Sequence, residues 1–106
     1  MNEALPLAQL QRLRAQLSHL NHAQPADQDQ LRRGVQFFID EVFSLPYGRF
    51  LYLDGPVLRQ RFAYLDNLHQ QLEQGQLQLS RETDWHLVLS QMLLVLDAVI
   101  KAEATQ

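Results

Sequence analysis

The sequence predicts an all-α fold: a four-helix bundle-like single domain over residues 1–106, with an irregular aromatic segment between the second and third helices. Three observations lead to it. The 106 residues include 21 Leu and 15 Gln against four Gly and four Pro, so good helix formers dominate and turn formers are scarce. Apolar residues recur three and four positions apart, the spacing that lines one side of a helix. The four prolines, at positions 6, 25, 46 and 56, fall at the edges of these runs. A chain near 100 residues has material for one core, hence one domain.

The first helix is expected from about Pro6 to Asn21, with Leu7, Leu10, Leu13, Leu17 and Leu20 on one side. Pro6 suits a first helical position, where its missing N–H costs nothing. After Ala23-Gln24-Pro25-Ala26, either Asp27 or Asp29 can cap a second helix that runs to about Leu45. Its stripe is Leu31, Val35, Phe38, Val42 and Leu45, with Phe37 and Phe43 well to either side. That is more apolar width than one packing partner requires. Pro46 ends the run. Residues 47–53, Tyr-Gly-Arg-Phe-Leu-Tyr-Leu, fit either an extended segment or a short irregular helix. A lone strand would need pairing from another copy.

Asp54-Gly55-Pro56 opens a third helix toward Gln74, with Gly75 placed as its left-handed terminator. Leu58, Phe62, Leu65, His69 and Leu72 form its stripe. Ser80 then fits the N-cap of a final helix of about 24 residues, about 36 Å long at 1.5 Å per residue. In this helix apolar residues from Trp85 to Ile100 fill most of the circumference, and His86, Ser90, Asp97 and Lys101 form one narrow polar line. Such a helix must be covered on nearly every side, by the centre of a bundle or by a second copy. A domain this small buries only about two thirds of its unfolded surface, which points to a two-fold homodimer.

Composition excludes several classes. The absence of cysteine removes disulfides, thiolate metal sites and a Cys nucleophile. A net charge of −3 with a single Lys argues against broad phosphate binding, so no nucleic acid is expected. The N-terminus lacks the pattern of a secretory signal, and the charge-free apolar stretch between Trp85 and Leu96 is shorter than the roughly 18 residues of a bilayer span, so a cytoplasmic protein with no membrane partner is expected.

Six of the eight Phe and Tyr residues, Phe37, Phe38, Phe43, Tyr47, Phe50 and Tyr52, fall within sixteen positions, and Arg49 lies among them. Interface cores favour these residue types, although the same rings could form the core beneath the irregular segment. Phe37, Phe43, Tyr47, Arg49, Phe50, Tyr52 and Trp85 are therefore the candidate partner or dimer interface. His69 stands where a leucine is expected in the third stripe and is the candidate interior polar site, a buried imidazole hydrogen-bonded to a neighbouring helix or a ligand contact. His19 and His22, three apart, lack further ligands nearby, so no metal is expected and no cofactor is implied. Asp40-Glu41 reads as a solvated pair, and no phosphate loop or nucleophile elbow is present.

Arg81-Glu82-Thr83-Asp84-Trp85-His86 separates an arginine from a histidine by four residues at the start of the last helix. This resembles the Arg-x4-His motif of the HEPN family of small helical, often dimeric ribonucleases, over six residues of the chain. The resemblance implies an alternative function, RNA processing by Arg81 and His86 across a dimer interface. The residues themselves favour a non-enzymatic protein-interaction or regulatory module acting as a homodimer. A binder of a small apolar ligand, with His69 and the aromatic band lining a cavity, is a second alternative.

Overall fold

In the computed structural model, residues 7–22, 24–43 and 56–104 are described, and the side chains of residues 41–43, 56–58 and 102–104 are left aside. The described residues form four helices and no strand: α1 (Leu7–Leu17), α2 (Pro25–Phe43), α3 (Pro56–Glu73) and α4 (Glu82–Ala104). The all-α bundle is as the periodicity predicts. α4 packs chiefly on α1 and α3, while α2 bridges between those two and touches α4 more lightly.

The core is built on the predicted stripes; Leu7, Leu13 and Leu20 of the first are half-buried, and the side chains of Val42, Leu45 and Leu58 lie outside the described residues. Leu10 and Leu17 from α1, Leu31, Val35 and Phe38 from α2, and Phe62, Leu65, Leu68 and Leu72 from α3 are buried. The Phe38 and Phe62 rings stack with centroids 5.9 Å apart, joining α2 to α3. On α4 the buried positions are Trp85, Val88, Met92, Val95, Leu96 and Val99, largely a repeat of three and four that presents one edge to the other helices. Leu87, Leu89, Leu93, Ala98 and Ile100 pack partly against this core. By length and composition the 82–101 stretch, of mean hydropathy 1.3, could cross a membrane; here its Trp85–Val99 edge is core, and a third of the stretch is buried.

Helix ends depart from the sequence reading in informative ways. α1 stops at Leu17, four residues before the expected Asn21, because its last turn unwinds. The His19 and Leu20 amides donate to carbonyls only three residues back, and the Ser18 hydroxyl donates to the Ala15 carbonyl. At α2 neither Asp27 nor Asp29 is the N-cap. The Gln24 carbonyl accepts the first helical bonds, from Asp27 and Gln28, so Pro25 occupies the first helical position. Asp27 lies inside the first turn and its Oδ2 accepts the Asn21 amide at 2.9 Å.

α4 repeats this device. Arg81, not Ser80, supplies the carbonyl that accepts the first helical bond, from Trp85. Asp84, in the first turn, accepts the Gln78 amide at 3.0 Å. In both cases an Asp inside the helix ties back a residue six positions earlier, while its charge faces the positive helix end.

The end of α3 is as predicted. Gly75 takes φ +79°, the Gln76 amide donates to the Gln71 carbonyl and the Gly75 amide donates to the Leu72 carbonyl, which together make a Schellman cap. The link that follows is not a bare connector, since Leu77 and Leu79 turn inward and join the core. A Cβ at Gly75 would meet nothing within 4 Å, so only the backbone conformation resists substitution. Gly75→Ala is expected to cost about 1 kcal/mol, read as a lower urea midpoint at unchanged slope. Gly34 has a different reason. It lies within α2 where α1 comes close, and a Cβ there would stand 3.2 Å from Leu17 Cδ2 and 3.4 Å from Leu13 Cδ1.

Candidate interaction surface

Beside the core stripe, α2 carries a second line that faces solvent. Ala26, Gln30, Arg33, Phe37 and Asp40 are all exposed, at spacings of four, three, four and three, so they share one edge of the helix. Phe37 is 36% exposed, with Tyr64 at 44% and Leu94 at 47% the other large apolar side chains in solvent among the described residues. Its ring borders two shallow grooves. One, of about 260 Å³, runs between α1 and α2 and includes Arg12, Leu13, Arg33 and Gly34. The other, of about 460 Å³, includes Arg32, Gln36, Asp40 and Glu73. Charged and amide groups thus surround one aromatic ring.

Two exposed contacts occupy this edge in the single chain. Arg33 Nη2 lies 2.7 Å from Asp29 Oδ2, and Gln36 Nε2 donates to Asp40 Oδ1 at 2.8 Å. Both run between residues four apart on α2, and contacts of this kind contribute a few tenths of a kcal/mol.

The remaining candidate residues are distributed as follows. Trp85, expected at an interface, is only 2% exposed and belongs to the core of its own chain. The α1–α2 turn brings His22 onto it, with ring centroids 6.4 Å apart. Phe43 closes α2, and its side chain lies outside the described residues, as do Tyr47, Arg49, Phe50, Tyr52 and the whole 47–53 segment.

His69 is buried, 9% exposed, in the α3 stripe, as its position implies. The neighbouring-helix hydrogen bond expected for it is not made by Nε2. Among the described residues this atom has no hydrogen-bond partner, and Glu73 Oε2, one turn along the same helix, is 3.8 Å away. His69 lines neither of the two grooves beside Phe37.

His19 and His22 are not on one helix face, because α1 has already ended before them. His22 instead stands 6.3 Å, ring to ring, from His86. No cluster of three or more metal-ligating side chains occurs among the described residues. Arg81 and His86 flank the first turn of α4, each near a carboxylate: Arg81 Nη1 is 3.9 Å from Asp84 Oδ2, and His86 Nε2 is 3.7 Å from Glu82 Oε2.

One contact had no sequence signal. Arg14 on α1 reaches Asp97 on α4, Nε to Oδ1 at 2.7 Å and Nη2 to Oδ2 at 3.4 Å, a forked pair that sets α1 on α4. Its partners are 83 positions apart, so no periodic pattern could reveal it. Comparison of the chain with protein-family models, with curated proteins and with solved structures found no match.

Proposed function

We propose that this chain is a non-enzymatic protein-interaction or regulatory module that works as a homodimer. The observation that carries the reading is the exposed Phe37 edge of α2, an aromatic ring held in solvent between Arg33 and Asp40 while the core stripe of the same helix is buried. Interface cores are enriched in Phe and Arg and depleted in Lys, and this chain carries eight Arg and one Lys. The partial exposure of α4 supports the same reading, since the 82–101 stretch, of mean hydropathy 1.3, is one third buried and Leu94 on it is 47% exposed.

Sedimentation of the full chain across a dilution series from about millimolar to micromolar is expected to resolve a monomer–dimer equilibrium, the range typical of small, partly polar interfaces. A species of 12.3 kDa at every concentration would overturn the proposal. Phe37→Asp is expected to shift the equilibrium to monomer while helical content by circular dichroism is retained, because the ring, 36% exposed, lies outside the buried core.

A further inference from the structure

Resting on the homodimer reading, we infer that the two copies meet through α2 itself, antiparallel, with the two-fold axis passing close to Phe37. The argument is one of charge symmetry. A two-fold contact is isologous: whatever residue i of one copy meets at residue j of the other, j must also meet at i. A charged helix edge meets this without like-charge contacts when its charges change sign across an apolar centre. The α2 edge does so. Arg33 lies four residues before Phe37 and Asp40 three residues after it, on the same exposed line. Placed antiparallel, the Arg33 of each copy faces the Asp40 of the other, and the two aromatic rings approach at the axis.

Arg33, Phe37 and Asp40 have the alternating spacing of a helix–helix seam, and the stretch from Arg33 to Asp40 extends over about 10 Å at 1.5 Å per residue. Pairing releases little within the chain, since the Arg33–Asp29 and Gln36–Asp40 contacts are exposed and lie along one helix. The other exposed large apolar positions among the described residues lack this symmetry: Leu94 has Asp97 three residues after it but the uncharged Gln91 three before, and Tyr64 has Arg61 three residues before it but the uncharged Asn67 three after.

Charge reversal tests this on the full chain by sedimentation. Arg33→Glu and Asp40→Arg, made singly, each place two like-charge contacts across the axis and are expected to weaken self-association about tenfold. The double variant Arg33→Glu/Asp40→Arg restores opposite charges in exchanged positions and is expected to return the dissociation constant to within about threefold of the unaltered chain. Both sites are exposed, and thermal unfolding of each variant checks that the fold is retained. Dimerisation unaffected by either single reversal, or a double variant no better than the singles, would overturn the α2 assignment while leaving the homodimer standing. An unaltered chain that stays monomeric throughout would remove both.

Discussion

Trp85→Ala is expected to lower the unfolding free energy by about 3–5 kcal/mol, a large share of the roughly 5–15 kcal/mol that holds a domain of this kind together. Trp85 is among the largest side chains in the core and is 2% exposed. It stands in the first turn of α4, where Asp84 ties the preceding link to the helix and the His22 ring lies alongside. Truncation therefore opens a cavity at the point where the α1–α2 turn meets α4, and main chain on both sides is too constrained to collapse into it. Urea unfolding should report a much lower midpoint. A loss below about 1 kcal/mol would show that the indole is not a core group and would reopen its assignment to an interface.

His69→Leu is expected to act in the opposite direction, raising stability by about 1–2 kcal/mol at neutral pH. The buried Nε2 has no hydrogen bond among the described residues, and a desolvated polar atom left unsatisfied costs about 1–3 kcal/mol. Leucine at this point continues the row Leu65, Leu68, Leu72, all buried, and brings no polar atom. Part of the gain is offset by the change of shape, since a branched aliphatic group does not fill the outline of a flat ring. The measurement is the urea midpoint of the variant against the unaltered chain. A drop in stability would mean that the imidazole is held by a bond that outweighs its burial. A gain would mark His69 as a residue retained at a cost to the fold, which is how a position kept for binding behaves.

Much of the architecture was legible because burial on a helix repeats locally. Leu31, Val35 and Phe38, or Phe62, Leu65, His69 and Leu72, declare their shared face within a few turns, and all are buried. Gly75 was legible for a related reason: a glycine just past an apolar run is the residue a left-handed cap requires. Helix starts were less so. Ser80 and Asp27 have the chemistry of caps, yet carbonyls of Arg81 and Gln24 take that position while Asp84 and Asp27 bind amides six residues earlier. The choice between two capping arrangements of similar energy depends on where the preceding link is pulled, and here Leu77 and Leu79 pull it into the core. The candidate surface was partly legible. Phe37 is visible as a ring off the α2 stripe, but the sequence places Trp85 on the same surface because composition does not distinguish an aromatic facing a partner from one facing its own chain.

The sequence by itself determined that this protein is helical and which face of each described helix turns inward, since these follow from periodicity over neighbouring residues. Only the tertiary structure decided which apolar groups are covered. Trp85 is enclosed because the α1–α2 turn settles on it, and Phe37 stays exposed on a charged edge of α2. Arg14 meets Asp97, and the Nε2 of His69 meets no bonding partner among the described residues. Each of these depends on contacts between residues far apart in the chain, and a local pattern carries no record of how distant helices approach one another.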